Sequence, residues 1–213
     1  MFAKMLKENP SAIGTLVSQA SKLLLGSSLA FIVFSFVRGG ISMDQIYDNT
    51  SVESQHILFL LSIAFFGMAS NLIYGSLLTA NGSLKVLNII SFVGLLVNIS
   101  LNLILIPQVL NGGAVVAAGV AALTQILVAL AQAIYCKRLF ALPFVDRHFY
   151  RYPLLIFALL FWYVVVDWSP IGYVYGDWIL LIDVLVTLFL LIAFKFIDVK
   201  ELISLVQTRS KTQ

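Results

Sequence analysis

Six apolar stretches, each long enough to cross a bilayer, fill most of this 213-residue chain, and its charged side chains are confined almost wholly to the gaps between them. A spanning helix needs about 20 predominantly apolar residues. The stretches lie near 15–37, 57–80, 86–107, 113–136, 153–169 and 178–196, the fifth being the shortest. Composition agrees: 61% of residues are hydrophobic, 11% are charged and the mean hydropathy is +1.00, whereas an ordinary soluble domain carries about 25% charged residues. No aqueous fold could hide so much apolar surface. Backbone in hydrocarbon must satisfy its own hydrogen bonds, and the alternating ten-residue pattern of a membrane barrel is missing. The expected fold is therefore all-α and polytopic, with six transmembrane helices.

Orientation follows from Lys and Arg, which are retained on the cytoplasmic side of short membrane loops. Lys4 and Lys7 precede the first stretch and Lys85 separates the second from the third. Lys137, Arg138, Arg147 and Arg151 lie between the fourth and fifth, and Lys195, Lys200, Arg209 and Lys211 lie at or beyond the end of the sixth. The alternate gaps hold Arg38 with Asp44, Asp48, Glu53, Asp167 and Asp177. Both termini are thus expected in the cytoplasm. The chain divides into a cytoplasmic segment 1–14, a four-helix core 15–136, a basic cytoplasmic loop 137–152, two further helices over 153–196 and a cytoplasmic tail 197–213. This topology accounts for the formal charge of +3 without a nucleic-acid partner. Trp168, Tyr173, Tyr175 and Trp178 cluster at the outer ends of the last two stretches, where amphipathic rings favour the headgroup layer.

Several chemistries are excluded. Cys136 is the one cysteine, so no internal disulfide forms. His56 and His148 fall on opposite sides of the membrane in this topology and cannot share a metal. No zinc or haem spacing, GxxxxGK[ST], GxSxG or HExxH occurs. The chain is read as a non-enzyme without a cofactor. The segment MFAKMLKENP is too polar for a signal peptide, so the first stretch is expected to remain in the mature chain.

Polar residues inside the stretches carry the functional information, because such side chains face a bundle interior or a wet cavity. Asn88, Ser91, Asn98 and Asn102 share one helical stripe with Leu95. Thr15, Gln19, Lys22 and Gly26 form a row in the first stretch, and Asn71, Gly75 and Thr79 form one in the second. Gln125 and Gln132 share a face of the fourth. Two readings are open: interhelical hydrogen bonds worth about 1 kcal/mol each, or the wall of a transport cavity. In the fourth stretch Ala114, Ala118 and Ala122 recur every fourth residue beside Gly113, Ala117, Gly119 and Ala121, a spacing that lets helix backbones approach closely.

Two ionisable residues stand within the apolar stretches. Lys22 either snorkels to the inner surface or presents its ammonium to a cavity. Asp183, whose side chain is too short to snorkel as far, is either linked to proton movement or a hydrogen-bonded structural carboxylate. The two are expected in opposite leaflets and not as a pair.

The segment LLTANGSLKVLNIISFVGLLVNISLNLILIPQVLNGGAVVAAGVAALTQILVALAQAIYCKRLF combines three elements: an Asn-Gly turn followed by Lys (Asn81, Gly82, Lys85), an Asn-x-x-x-x-Pro helix end (Asn102, Pro107), and a Gly-rich start to an Ala-rich helix closing in Thr-Gln (Gly112, Gly113, Ala117, Ala118, Thr124, Gln125). In this combination the chain resembles the C-terminal region of polysaccharide flippases in the multidrug/oligosaccharidyl-lipid/polysaccharide exporter superfamily. The resemblance is strongest from residue 54 to about 140. Where family members often read Gly-Ala-Ala after the turn, this chain reads GGAVVAAGVAA.

The resemblance implies two lobes around a central cavity, of which this chain matches the C-terminal one. Met1 falls where a family member is in mid-chain, so a missing N-terminal lobe, or a partner chain supplying it, is expected. It further implies flipping of an undecaprenyl-diphosphate-linked oligosaccharide across the bacterial inner membrane by alternating access, beside a polysaccharide polymerase. The substrate-cavity candidates are Gln19, Lys22, Asn71, Tyr74, Asn98, Asn102 and Gln125, with Lys22 attracting the diphosphate and the amides and Tyr74 contacting sugars or water. Asp183 is the candidate proton-linked group. The alternatives are a cation-coupled multidrug-type exporter lobe and a non-transporting membrane scaffold of a polysaccharide-assembly complex.

Overall fold

The computed structural model describes residues 13–47, 51–109, 112–141, 149–168 and 178–197. These residues form six α-helices: α1 (Ile13–Ile46), α2 (Val52–Ala80), α3 (Leu84–Leu105), α4 (Gly113–Leu139), α5 (Arg151–Trp168) and α6 (Ile179–Ala193). A 3-10 turn, Ile106–Gln108, follows α3, with Pro107 inside it. Helices α1 to α5 are long and apolar enough to cross a bilayer. The protein is all-α and of the multi-pass membrane class. Several loop assignments made from charge, including Lys4, Lys7, Asp48, Arg147, Tyr173, Tyr175, Asp177, Lys200, Arg209 and Lys211, lie outside the described residues.

Helix α2 starts five residues before the predicted 57, which takes Glu53 out of the outer gap and into its first turn, and the ends of α1 and α6 differ as well from those read in the sequence. Helix α1 continues nine residues past the predicted end at 37, which puts Arg38 and Asp44 in the helix and not in an outer loop. Tertiary packing extends it: Gly39 lies against Leu58 and Gly40 against Gln55 of α2, and Arg38 is only 2% exposed. With 34 residues, α1 is about 51 Å long at 1.5 Å per residue, well beyond the roughly 30 Å of hydrocarbon. At the other end of the chain the shortest helix is the sixth and not the fifth. Helix α6 has 15 residues, about 23 Å. It stops early because Lys195 turns left-handed at φ 57. The Phe196 N–H then donates to the Leu191 carbonyl and the Lys195 N–H to the Ile192 carbonyl, each at 2.9 Å. This paired closure terminates a helix wherever a left-handed residue follows its cap.

The chain divides into two compact units, Met1–Phe149 and Tyr150–Gln213. In the first, α2 packs against both α1 and α4, and α3 packs mainly on α4. The helices therefore form a row in the order α1, α2, α4, α3. Helices α1 and α2 run antiparallel: the Ser62 hydroxyl donates to Ser35 Oγ at 2.7 Å, one turn from the Gly39 and Leu58 contact, and the interface continues to the cluster of Val17 with Leu77 and Leu78. Helices α2 and α4 run parallel, since Leu60 lies near Gly119, Gly67 near Gln125 and Gly75 near Gln132. A methyl at Gly67 would sit 2.8 Å from the Gln125 carbonyl carbon, so only glycine permits that backbone approach. Of the small-residue run, Ala118 and Ala122 are buried on α4, as is Ala129 beyond it. Ala114 is exposed.

The turn between α2 and α3 is set by Gly82, whose φ of 79 lies in the left-handed region. The Ser83 N–H donates to the Leu78 carbonyl and the Gly82 N–H to the Thr79 carbonyl, the same helix-ending pattern as at Lys195. In the second unit α5 and α6 form an antiparallel pair. Leu155, Leu159, Tyr163 and Val166 form the buried stripe of α5, opposed on α6 by Ile179, Asp183 and Leu191. Tyr152 meets Phe196 edge-on at one end of the pair. Trp168 and Trp178 are exposed at the other.

Candidate functional site

The polar side chains of the first unit gather around one turn of α4. Thr124 and Gln125, adjacent in sequence, point about 100° apart on a helix of 3.6 residues per turn and so face different neighbours. Gln125 turns to α2, where its Oε1 accepts a hydrogen bond from Asn71 Nδ2 at 2.8 Å. Thr124 turns to α3, where its hydroxyl accepts from Asn98 Nδ2 at 3.0 Å. Asn98 Oδ1 in turn accepts from Asn102 Nδ2 at 3.1 Å, and the Thr124 hydroxyl donates to the Val120 carbonyl at 2.8 Å. A continuous chain of donors thus runs from Asn102 through Asn98 and Thr124 into the backbone of α4.

Four of the seven cavity candidates are brought together here in two pairs, Asn71 with Gln125 and Asn98 with Asn102. Each pair bridges or borders a helix interface. Tyr74 is also at an interface: it is 7% exposed, is hydrogen-bonded with Ser21 of α1, and belongs to an apolar cluster with Val17, Leu77, Leu78 and Cys136. The Cys136 thiol donates to the Tyr74 carbonyl at 3.5 Å. Gln19 and Lys22 are half-buried on α1, and no hydrogen bond joins them to the amides among the described residues.

Three side-chain carbonyl oxygens remain buried without a hydrogen-bond partner among the described residues: Asn71 Oδ1, Asn102 Oδ1 and Gln132 Oε1. Each is an acceptor and lacks a donor, and an unmet buried acceptor costs about 1–3 kcal/mol. Gln132, 3% exposed, stands over Gly75 of α2. The polar stripe of α3 divides into two parts. Asn98 and Asn102 are half-buried against α4, whereas Asn88, Ser91 and Leu95 are exposed. Indeed no residue of α3 is fully buried.

Between α3 and α4 lies an apolar groove of about 260 Å³ that none of the seven candidates lines. Its walls are Ile89, Val93 and Val97 on one helix and Leu127, Val128 and Ala131 on the other, with Thr124 at the end nearest Asn98. In the second unit Asp183 is fully buried, and its Oδ1 accepts a hydrogen bond from Trp162 Nε1 at 2.9 Å. Among the described residues no group of three or more His, Cys, Asp or Glu side chains is placed to hold a metal ion.

Thr124, Gln132 and Trp162 stand among these polar groups without being among the site residues that the sequence predicts. Thr124 carried a signal in its position beside Gln125, and Gln132 in sharing the Gln125 face. Nothing in sequence marks Trp162 as the partner of Asp183.

Fold and polar network together define an all-α multi-pass membrane protein with amide-bearing helix interfaces. No protein-family model, curated protein or solved structure matches the chain.

Proposed function

We propose that this chain is one lobe of a membrane transporter that moves a lipid-linked oligosaccharide across the bacterial inner membrane, with both termini in the cytoplasm and a second lobe completing the cavity. The observation that carries this reading is the uncovered polar stripe of α3. Asn88 and Ser91 project from a membrane-length helix and meet no neighbour that buries them. Polar side chains facing lipid are costly, so this face suits a wet cavity or a second lobe better than hydrocarbon. The unpartnered oxygen of Asn102 lies on the same helix and suits a hydroxyl donor. In this reading Lys22 attracts the diphosphate, and Asp183 is the candidate group for proton coupling.

A second reading, a scaffold within a polysaccharide-assembly complex, is favoured by the Asn71–Gln125 and Asn98–Thr124 bonds, which tie helices together. Expression beside an N-terminal lobe in a flippase-deficient strain separates the two. A transporter restores surface polysaccharide, and Asn88→Leu with Ser91→Leu abolishes export while both halves stay inserted. A scaffold tolerates that pair. Absence of export from well-inserted halves counts against the transporter.

A further inference from the structure

We propose that the groove between α3 and α4 holds one acyl chain of an anionic phospholipid, with the lipid phosphate held by Lys85 and Arg138. This inference does not depend on the transport reading.

The helical register carries it. Helices α3 and α4 are antiparallel, with Asn98 opposite Thr124 and Gly94 opposite Val128, so four residues back along one helix match four forward along the other. Nine more residues in the same sense, about 14 Å at 1.5 Å per residue, set Lys85 level with Lys137. The lining stripes run to the same end. On α3 the residues Val97, Val93 and Ile89 step by four to Lys85. On α4 the residues Thr124, Leu127 and Ala131 step by threes and fours to Tyr135 and then Arg138. The walls themselves end at Ile89 and Ala131; one turn beyond Ile89 stands Lys85 and two turns beyond Ala131 stands Arg138, and both are exposed.

The chemistry of the lining selects the occupant. The walls are hydrocarbon along their length, and the one polar lining group, Thr124, already donates to the Val120 carbonyl and accepts from Asn98. A sugar or a polar metabolite finds nothing to bond there. Ile89, Val93 and Leu127 are about half exposed, so the groove opens sideways, where a membrane supplies acyl chains. Two basic residues at one mouth complement a phosphate, and Lys and Arg near a membrane surface attract anionic headgroups. An apolar slot with a cationic end matches an anionic amphiphile of the leaflet into which α3 starts and α4 ends.

The test uses the full chain in nanodiscs of phosphatidylcholine with a minority of phosphatidylglycerol and of a polyprenyl phosphate, followed by mild delipidation and native mass spectrometry of the retained lipid. The expected result is phosphatidylglycerol enriched roughly thirtyfold over its share of the disc, the scale set by two basic contacts. Lys85→Gln with Arg138→Gln should return retention to the bulk ratio. Ala131→Phe, which fills the exposed α4 wall, should release the tightly held lipid whatever its headgroup, with helix content unchanged by circular dichroism. Retention in bulk proportions, enrichment that survives the double charge substitution, or preference for the polyprenyl phosphate over phosphatidylglycerol would each overturn the proposal. Should Ala131→Phe fail to fold, the charge pair decides alone.

Discussion

Asn71 on α2 donates its side-chain amide to Gln125 on α4 at 2.8 Å, one turn beyond the point where Gly67 meets the Gln125 backbone. The bond and the close approach support each other, because a donor as short as Asn reaches a neighbouring helix only where the backbones are near. Interhelical side-chain bonds in membranes couple by about 0.6 kcal/mol on average and at most about 1.7. Asn71→Leu, Gln125→Leu and the double variant, unfolded reversibly in mixed micelles, should therefore give a favourable coupling in that range. A coupling indistinguishable from zero would remove the bond from the list of forces holding α2 to α4.

Gly67 and Gly94 are both glycines at helix crossings, but they fail differently when enlarged. A Cβ at Gly67 meets the backbone of Gln125, whereas a Cβ at Gly94 collides with the Val128 side chain. Overpacking typically costs about 1–3 kcal/mol. Gly67→Ala should therefore lower the melting temperature with no side-chain rescue. Gly94→Ala should lower it as well, and Val128→Ala in the same chain should recover most of the loss. Thermal melts followed by the monodisperse fraction on size exclusion check both. Equal rescue at both sites, or none at either, would show that the crossings are not as described.

The helices were legible in the sequence because hydrocarbon leaves so few alternatives: a run of apolar residues without charge must be helical, and α2 to α6 all begin and end within five residues of the predicted stretches. What hydropathy does not encode is packing. Arg38 reads as a loop charge, yet α1 carries it into a buried position because Gly39 and Gly40 let α2 run alongside. The end of α6 depends on one left-handed residue, Lys195, a position where glycine would have been the readable signal. The amide stripes were visible from spacing alone. Their direction was not, since a stripe facing a partner helix and one facing a cavity have the same period. On α4 the face bearing Gln125 and Gln132 turns to α2, and on α3 the same kind of stripe is half uncovered.

Gly82 gives a cleaner measure of backbone strain than either crossing glycine. Nothing lies within 4 Å of a Cβ built there, and its φ is 79. A substitution therefore meets no clash and carries only the cost of the left-handed conformation, about 1–2 kcal/mol for an ordinary L-residue. Gly82→Ala should show that loss, and Gly82→Asn, which tolerates the conformation better, should lose less. Stability of the two variants in the same micelles tests the ranking, and an Asn variant no better than Ala would contradict it.

Asp183 and Trp162 form the polar centre of the α5 and α6 pair. The carboxylate is fully buried and accepts the indole N–H at 2.9 Å, while its backbone carbonyl accepts from the Thr187 hydroxyl at 2.7 Å. Asp183→Asn keeps a side-chain acceptor for Trp162. Asp183→Leu removes it and leaves a half-buried indole donor unmet, at a cost of about 1 kcal/mol, the low end for a stranded polar group. The expected order of stability is therefore parent, then Asn, then Leu. Trp162→Phe in the Leu background should recover part of the loss, because removing both partners strands no polar group. The same variants separate structure from coupling. If Asp183 moves protons, the Asn variant stays folded but loses export in the two-lobe assay; if it only holds α5 to α6, the Asn variant exports normally.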